Sequence, residues 1–532
     1  MKKKCLLPMI VALFATSCGC AGGSTTINSP FGHEMDFSQG YNKNIWYKND
    51  LDQRCADPNI VYCEVDGYYY MYMTTDALGC AGFNVYRSKQ LNHWEELNPC
   101  FLPDPYSWGT TSLWAPNVIK IGSKYYLYYS ARNNTTGTKG ISVAVADHPA
   151  GPFHEYEGED YYGNIITRND QVFKLGYPAI DAAPFLDDDG QLYLYFAKDQ
   201  VNAESNCMGV KLLDPVTPDL STLKTLTVPG KVKPDAVEMS INWERQSGGG
   251  KWNEAPFMLR VGNKYYLTYS ANYFSHVAYA VGYAVSDSPL GTFVKPNSYE
   301  NENLLLGVEP DEQRTLWDFM SGSGHHCFFY AGDELMIGYH AHIDRVYGSS
   351  IRAFALDKVI VENGKMFANG PTYSLQPLPT SVSGYKNVAK EASITTDSTN
   401  DKNLLVDDKI PMHIFRQEHI DLQAKYTKGH HNIVVEFNNP VKATAIALYN
   451  SINYETRLAK IDRITIEDFA SDVDIKMNPE YMDNYFEEYS TGYLRPGCPF
   501  ICEFNEREVK KITIEMNSDI DFALSELVVL GR

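Results

Sequence analysis

Three carboxylate side chains, Asp57, Asp181 and Glu254, lie at corresponding places in a phrase that the sequence repeats. Carboxyl groups that share a cavity raise one another's pKa, so one can stay protonated at neutral pH while another is ionised. Hydrolysis of an acetal needs this combination, because an acid protonates the leaving oxygen while a base activates water. A single Asp before proline is more often a turn residue. Three acidic residues in equivalent places of a repeat instead favour catalysis.

The repeated phrase also predicts the architecture that brings these side chains together. Its copies include Ala56, Trp114, Asp181 and Glu254 near their starts, and a fifth, degenerate copy has His325 at the corresponding place. Units of roughly 55 to 75 residues, built of short β-rich runs between turns, are typical of a β-propeller. We therefore predict an all-β chain with a five-bladed propeller over residues 45–376. The innermost strands of its blades face one axis and place the three carboxylates around it.

Five short motifs occur in order along these repeats: Ala56-Asp57-Pro58-Asn59-Ile60-Val61, Leu113-Trp114-Ala115-Pro116, Ile180-Asp181-Ala182, Asn253-Glu254-Ala255-Pro256 and Gly324-His325-His326. Their order and spacing resemble glycoside hydrolase family 43 over about residues 45–375. Members of that family are five-bladed propellers that invert the configuration at the anomeric carbon. The resemblance implies Asp57 as general base and Glu254 as general acid. It implies that Asp181 tunes the pKa of the acid and orients it.

The sequence around two of the carboxylates supports the same division of roles. Glu254 lies between Trp252 and an apolar segment, and an apolar setting raises the pKa of a carboxyl group. Asp57 lies near Arg54, whose charge would keep a base ionised if the side chain points inward. Inversion further requires a gap of about 6.5 to 9.5 Å between acid and base, which leaves room for the attacking water.

The candidates for substrate contacts are Trp114, His325 and Arg345. Arg345 and Arg352 both follow the last repeat, where each either reaches a sugar hydroxyl or is a solvated loop arginine. We expect Trp114 to line the pocket because its place in the repeat is equivalent to that of Glu254. The resemblance implies that His325 lies beneath the active site, where it orders water or a calcium ion. A hydrogen-bonded core histidine is the alternative, since calcium prefers oxygen ligands and the sequence offers no cage of them. We predict no metal-ligating residues and no required cofactor, with a structural calcium ion near His325 left open. The other large aromatic side chains considered are Trp46, Trp108, Tyr177, Trp252 and Trp317.

A change of composition near residues 376–385 predicts a second domain. Segments 432–437 and 511–516 alternate apolar and polar residues, which indicates half-buried antiparallel strands of a β-sandwich. The ends of region 385–532 resemble discoidin-like, galactose-binding-like jelly-roll modules, whose members often bind carbohydrate or brace a catalytic domain. This region is therefore a candidate carbohydrate-binding module. Cys498 and Cys502 form a local disulfide in an oxidising compartment, or they are two buried thiols.

The first residues predict export. Lysines 2–4 precede a short apolar run and small residues before Cys18, a pattern typical of a secretory signal over residues 1–20 and of a bacterial lipoprotein cleavage site. We expect a lipid anchor on Cys18, a linker over residues 21–44, and a location in the periplasm or on the outer-membrane surface; a plainly cleaved signal is the alternative. The formal net charge of -20 argues against a nucleic-acid groove, which needs a basic surface. The sequence identifies no protein partner.

The prevailing activities of the family imply an exo-acting α-L-arabinofuranosidase for plant-type oligosaccharides or polysaccharides. β-Xylosidase, β-D-galactofuranosidase and endo-arabinanase stay open, because loops at the funnel mouth set the substrate. A non-catalytic carbohydrate-binding propeller would normally lose a carboxylate, and this chain keeps all three. A retaining enzyme acting on fructans would carry an Asn-Asp-Pro motif, whereas Ala56 precedes Asp57-Pro58 here. A purely structural surface lipoprotein gives no reason for the three acidic positions.

Overall fold

The computed structural model describes residues 26–28, 34–36, 41–75, 78–201, 204–247, 251–299, 301–307, 320–343, 350–372, 374–412, 416–466, 476–477 and 497–532. The predicted signal and Cys18 lie outside these residues, as does most of the predicted linker. No helix in the described ranges has the length and apolar character needed to cross a membrane.

Five four-stranded antiparallel blades follow one another in the described part of the chain. Three short strands precede them: β1 (Thr26–Asn28), β2 (Glu34–Asp36) and β3 (Trp46–Tyr47). Blade 1 contains β4 (Ala56–Cys63), β5 (Tyr68–Thr74), β6 (Phe83–Ser88) and β7 (Glu95–Phe101). Blade 2 contains β8 (Thr111–Ile121), β9 (Lys124–Arg132), β10 (Lys139–Ala146) and β11 (His154–Glu155), and a small hairpin of β12 (Gly158–Glu159) and β13 (Ile165–Ile166) follows. Blade 3 contains β14 (Ala179–Leu186), β15 (Leu192–Val201), β16 (Glu204–Asp214) and β17 (Thr217–Thr227). Blade 4 contains β18 (Lys251–Val261), β19 (Lys264–Ala271), β20 (Ala280–Ser286) and β21 (Leu304–Leu306). Blade 5 contains β22 (Gly324–Ala331), β23 (Glu334–His342), β24 (Arg352–Glu362) and β25 (Lys365–Ala368).

A separate apolar core fills the space between each pair of neighbouring blades. Tyrosines of the repeated strands supply much of this packing, as Tyr70 and Tyr129 do between blades 1 and 2. The core that joins blade 5 to blade 1 contains Met71 from β5 and Phe329 from β22. Because apolar surface is buried at the junction of the last and first blades as well, the blades form a closed ring. The predicted five-bladed propeller is confirmed.

Tyrosines of three second strands also connect neighbouring blades by hydrogen bonds. Tyr72, Tyr128 and Tyr195 occupy equivalent positions, and each donates its hydroxyl proton to a proline carbonyl of the next blade. The Tyr72 hydroxyl lies 2.6 Å from the Pro149 carbonyl oxygen. A buried tyrosine needs such a partner for its polar end, so the same residue supplies both apolar contact and a fixed spacing between blades.

The chain entering blade 1 closes the ring by pairing with blade 5. Cys55 N–H donates to the Arg352 carbonyl at 3.1 Å, and Phe354 N–H donates to the Gln53 carbonyl at 2.8 Å. These two bonds continue β24 onto the segment that leads into β4. Ring closure therefore places the start of β24, and Arg352 with it, beside the first inner strand.

The C-terminal region folds into β-rich structure that follows the propeller directly. The connecting elements are β26 (Gln376–Pro377), which pairs with β3, and α1 (Thr380–Ser383). The strands that follow are β27 (Lys386–Asn387), β28 (Ser393–Thr395), β29 (Ala424–Tyr426), β30 (Gly429–Asn450), β31 (Arg463–Ile466), β32 (Lys476–Met477), β33 (Pro499–Ser518) and β34 (Phe522–Gly531). The described helices of this region are α2 (Gln417–Asp421) and three short 3-10 turns at Ala389–Glu391, Lys402–Leu405 and Tyr454–Thr456; a further 3-10 turn at Trp243–Arg245 belongs to the propeller.

Two long strands, β30 and β33, build both layers of a β-sandwich. Register shifts after Glu436 and Ala443 divide β30. Its first half pairs with β28 and its second half with β34, while β33 follows it throughout. Side chains from both halves, such as Ile433 and Leu448, enter one core. The predicted sandwich is therefore confirmed, and the two predicted segments at 432–437 and 511–516 pair with each other within it.

The sandwich packs against the strands that flank the propeller. Trp46, which is fully buried, and Leu375 share an apolar core with Tyr449 and Ile501 of the sandwich. The Tyr449 hydroxyl donates to the Leu375 carbonyl at 2.6 Å, so a polar contact adds to the apolar one. Cys498 and Cys502 are both buried, and the Ser374 hydroxyl contacts the Cys498 sulfur.

Candidate active site

All five inner strands carry the same β-bulge, and the first bulged residue of each has a positive φ between 41° and 59°. The residues concerned are Asp57, Ala115, Asp181, Ala255 and His325. Positive φ is uncommon outside glycine, and such strain clusters where the surrounding structure holds a functional side chain. A bulge also re-aims the side chains beside it. The ring of bulges therefore surrounds the propeller axis with side chains turned out of the strand pattern.

The bulges correct the sequence alignment of the three carboxylates. Asp57 and Asp181 are first bulged residues, but Glu254 lies one residue before its bulge, where it pairs with Ser270. Trp114 occupies the same place in blade 2, as predicted. The prediction of three repeat-equivalent carboxylates is wrong for Glu254. The proline spacing already separates the two residues, because Pro58 and Pro256 stand at the same place relative to their bulges, so Glu254 corresponds to Ala56 rather than to Asp57.

One cavity of about 570 Å³ opens at this ring of bulges. Its lining includes Asp57, Asp181 and Glu254, together with Trp114 and His325, so the structure brings these sequence candidates together. Arg345 lies outside the described residues. The further lining residues are Lys139, Ile180, Asp199, Gln200, Trp252, Tyr273, Phe274, Tyr279, Ser350, Ile351 and Arg352. A volume of this size is typical of a small-ligand pocket.

The Asp57 carboxylate is surrounded by groups that favour its ionised form. Burial alone would raise the pKa of Asp57, but His325, Arg352 and Thr74 together lower it below its usual range. Oδ1 lies 3.1 Å from His325 Nδ1 and 3.0 Å from Arg352 Nη1. Oδ2 accepts a hydrogen bond from the Thr74 hydroxyl at 2.6 Å. Asp57 is therefore held as an anion on one side of the cavity.

The cation beside Asp57 is not the one that the sequence suggested. Arg54 is exposed and forms a bridge with Ala353 of blade 5, so its side chain does not meet the condition of pointing inward to keep Asp57 ionised. The cation is Arg352, which the pairing of blade 5 with the segment before β4 places beside Asp57. Burial lowers the pKa of His340 well below its ordinary value. Its neutral Nδ1 accepts the Asp57 N–H at 3.2 Å, so His340 positions the backbone rather than forming an ion pair.

Glu254 faces the same cavity in a different environment. Burial raises its pKa to about 7, and this outweighs a hydrogen bond from Tyr279 that lowers it. The Tyr279 hydroxyl donates to Glu254 Oε1 at 2.9 Å. The Tyr279 ring stacks on His340 at 5.6 Å between ring centres. At neutral pH a large fraction of Glu254 is therefore protonated, with one carboxyl oxygen fixed by Tyr279.

Asp181 lines the same cavity and connects blade 3 to blade 4 by a hydrogen bond. Burial raises the pKa of Asp181 to about 7; Glu254 and Asp57 add to this effect, whereas His325 opposes it. Asp181 Oδ2 accepts the backbone N–H of Ala255 at 3.1 Å. The carboxylate is thus fastened to the peptide that follows Glu254, which couples the charge states of the two carboxyl groups.

Aromatic residues and one ion pair form the rest of the wall. Lys139 Nζ contacts Asp199 Oδ2 at 2.7 Å and lies 5.4 Å from the centre of the Trp114 ring. Trp252 packs against Tyr273 with ring centres 5.3 Å apart. The remaining aromatic candidates lie elsewhere: Trp46 and Trp108 are buried in apolar cores, Tyr177 is half-buried beside Lys198, and Trp317 is outside the described residues.

The groups around His325 do not fit a calcium ion. Calcium needs six to eight oxygen ligands, whereas His325 offers nitrogen and the adjacent Asp57 carboxylate is engaged by a guanidinium group and a hydroxyl. Within the described ranges, the one place where three His, Cys, Asp or Glu ligand atoms converge is Cys63, Asp66 and His148, in blades 1 and 2.

Sequence reasoning did not identify three residues that contact the carboxyl groups and shift their pKa values. They are Arg352 and Thr74, which contact Asp57, and Tyr279, which contacts Glu254. The sequence offered Arg352 as a contact to a sugar hydroxyl or as a solvated loop arginine, and not as the partner of Asp57. Thr74 ends the tyrosine-rich segment of the first repeat, where hydroxyl residues recur. Tyr279 follows a turn and carries no motif, so no sequence signal identifies it.

Comparison with known proteins places the chain in a family. The model described as Glycosyl hydrolases family 43 matches residues 49–365, so the chain belongs to this family. It is 29% identical over 302 residues to an extracellular exo-α-(1→5)-L-arabinofuranosidase of Streptomyces chartreusis, covering 56% of this chain and 82% of that relative. It is 29% identical over 145 residues to an extracellular endo-α-(1→5)-L-arabinanase of Thermotoga petrophila, covering 24% of this chain but only 27% of the relative's length. The crystal structure of a thermostable family-43 glycoside hydrolase has 29% identity and a TM-score of 0.52, covering 63% of this chain and 99% of that chain.

Proposed function

We propose that the protein is an inverting glycoside hydrolase that removes terminal α-L-arabinofuranosyl units, with Asp57 as general base and Glu254 as general acid. The observation that carries this proposal is the opposite effect of the pocket on its carboxyl groups. The pKa of Asp57 is lowered while that of Glu254 is raised to about 7. At neutral pH one group therefore accepts a proton while the other can still supply one.

The base side of the reaction uses the anion that Arg352 and His325 maintain. Asp57 would remove a proton from water as the water oxygen attacks the anomeric carbon. Inversion requires the water to occupy the space between the two carboxyl groups. The Thr74 hydroxyl holds Asp57 Oδ2, so the carboxylate keeps its orientation while it accepts the proton.

The acid side uses the proton on Glu254. Tyr279 donates to Oε1, which leaves Oε2 to carry the proton toward the glycosidic oxygen. As the bond to the leaving group breaks, positive charge develops on the sugar ring. Asp181, fastened to the peptide after Glu254, would keep the acid oriented and favour its protonated form.

The substrate and location rest on further support. The cavity volume suits a terminal sugar and its neighbour, and Trp114 and Trp252 offer faces on which sugars stack. The names of the two relatives favour an arabinose-containing substrate and an exported protein. We assign the C-terminal sandwich a bracing role, because it shares an apolar core with Trp46 beside the propeller.

The test is release of p-nitrophenol from the arabinofuranoside, xyloside, galactofuranoside and galactopyranoside by the wild type and by Glu254→Gln. The arabinofuranoside should be cleaved, and NMR should detect the β-anomer of arabinose first. The substitution should reduce turnover of arabino-oligosaccharides by about 10² to 10⁴-fold. The matched control is Glu204→Gln, which removes a carboxylate paired with Lys251 outside the cavity. First formation of the α-anomer, or no cleavage of any furanoside or xyloside, would contradict the proposal.

A further inference from the structure

The ring of bulges is held by a second ring of hydrogen bonds between neighbouring blades. The first bulged residue of each inner strand donates its N–H to the neighbouring blade. In four cases the acceptor is a side chain at the inner end of the second strand: Ala115 N–H to Thr74 Oγ1 at 2.9 Å, Asp181 N–H to Ser130 Oγ at 2.9 Å, His325 N–H to Ser270 Oγ at 2.8 Å and Asp57 N–H to His340 Nδ1 at 3.2 Å. Buried N–H groups require such partners, so this position in the repeat has a defined structural task.

Blade 3 departs from this rule. Its second strand carries Ala197 at the position in question, paired with Ile180 as Ser130 is paired with Trp114. Ala197 is fully buried and offers no acceptor. In the other blades a side chain at this position accepts the N–H of the next blade's first bulged residue. In blade 4 that residue is Ala255, and its N–H donates to Asp181 Oδ2 instead.

Blade 1 shows what the missing hydroxyl does elsewhere. The Thr74 hydroxyl accepts the N–H of Ala115 and donates its own proton to Asp57 Oδ2 at 2.6 Å. It therefore stands between the aspartate of its own blade and the peptide of the next. In blade 3 Ala197 provides no hydroxyl at that place, and the Asp181 carboxylate accepts the N–H of the next peptide directly.

We propose that Ala197 is a positioning residue, which by lacking a hydroxyl makes Asp181 the acceptor for the peptide beside Glu254. This assignment rests on the proposed function. Asp57 and Asp181 have the same place in the repeat and nearly the same φ, 53° and 59°, yet only Asp181 is fastened to the neighbouring blade's bulge. The contact fastens the Asp181 carboxyl group to the peptide that follows Glu254, and the nearby Glu254 adds to the raised pKa of Asp181.

The direct test is Ala197→Ser, which gives blade 3 the residue that blades 2 and 4 already carry. The new hydroxyl should accept the Ala255 N–H and draw the Asp181 carboxylate toward itself, as Thr74 does with Asp57. We expect kcat to fall about tenfold with KM little changed, since a small misplacement of catalytic groups costs up to about 10²-fold. With the Asp181 charge farther away, Glu254 should lose its proton more readily, so the alkaline limb of the pH profile should move to lower pH.

A size-matched control and a measurement without substrate complete the test. Ala197→Cys adds a sulfur, a weak acceptor, and should change kcat and the alkaline limb less than Ala197→Ser does. Asp181→Ala should lower the melting temperature by leaving the Ala255 N–H unsatisfied, and Ala197→Ser added to it should restore part of that loss. This thermal comparison stands even if the glycosidase assay fails.

Several outcomes would overturn the assignment of Ala197. The first is an Ala197→Ser enzyme with wild-type kcat and pH profile. The second is a double variant that melts no higher than Asp181→Ala. The third is an Ala197→Ser protein that does not fold while Ala197→Cys does, because the site would then be unable to hold the hydroxyl that Ser130 and Ser270 provide elsewhere.

Discussion

The Asp57 side and the Glu254 side of the pocket each contain an inner strand with the same type of β-bulge. The groups that surround the two carboxyl groups are different. Asp57 meets a guanidinium group, an imidazole and a hydroxyl. Glu254 receives one phenolic hydrogen bond from Tyr279. Burial raises the pKa on both sides, and only the Asp57 side has enough compensating groups to reverse that effect.

The difference teaches that the repeat fixes where a carboxyl group stands, while neighbouring strands fix its protonation state. Asp57 and Asp181 are equivalent in backbone position, yet the pKa of one is lowered and that of the other is raised to about 7. The partners that separate them come from second strands and from ring closure. Identical residues of a propeller can therefore differ in protonation state because their neighbours on other strands differ.

The largest expected effect is the loss of kcat when each of the two proposed catalytic carboxyl groups is removed. Each variant is assayed on two substrates that differ in their leaving group. Asp57→Asn should reduce kcat by about 10² to 10⁴-fold for every substrate, because a base is needed whatever leaves. Glu254→Gln should have a similar effect on arabino-oligosaccharides but a much smaller one on a dinitrophenyl arabinofuranoside, whose leaving group needs no proton. The measurement is kcat for both variants on both substrates.

Equal losses for the two variants on both substrates would contradict the division into a base side and an acid side. Folding is checked by melting temperature. Glu254→Gln should not lower it, because burial already disfavours the Glu254 charge. Asp57→Asn should lower it, because Arg352 then loses its buried carboxylate partner.

A smaller effect is expected from the cation on the base side. Arg352→Met should raise the pKa of Asp57, since an opposite charge at this distance shifts a carboxyl pKa by about 1 to 3 units. The acidic limb of kcat/KM should therefore move to higher pH. Activity should be lost most at the acidic end and recover as the pH rises above the new pKa of Asp57. The measurement is the pH profile of kcat/KM.

Arg352→Lys is the matched control for charge, because it keeps a cation while it loses the planar geometry. Its acidic limb should lie between those of the wild type and Arg352→Met. An unchanged acidic limb in Arg352→Met would show that this guanidinium group does not maintain the Asp57 anion.

The ring of blades was accessible from the sequence because it depends on local, repeated signals. Tyrosine-rich strands after a proline and a turn occur four times, a degenerate fifth copy without the proline contains His325, and each copy became a blade. The register of the bulge was less accessible. Asp57, Glu254 and Asp181 stand one, two and three residues before their prolines. Pro184 stands further from its bulge than Pro58 or Pro256 does, so proline spacing alone does not align Asp181 with Asp57.

The partners of the carboxyl groups were less accessible still. Asp57, Asp181 and Glu254 could be selected by type and position, but the choice between Arg54 and Arg352 depends on how the last blade meets the first. Such long-range closure leaves no mark in the sequence near Asp57. The proposed role of Ala197 could not be predicted either. It depends on the strand pairing that makes Ala197 equivalent to the hydroxyl residues of other blades.

The smallest expected effect tests the single hydrogen bond on the acid side. Tyr279→Phe removes a donor that favours the Glu254 anion, so the pKa of Glu254 should rise and the alkaline limb of kcat/KM should move to higher pH by about one unit or less. The Phe ring can still stack on His340, which separates this effect from loss of packing. Tyr266→Phe, in the core between blades 4 and 5, is the control and should leave that limb in place. A shift to lower pH in Tyr279→Phe would mean that the phenol stabilises the protonated acid instead, and the contrast between the two sides of the pocket would need another cause.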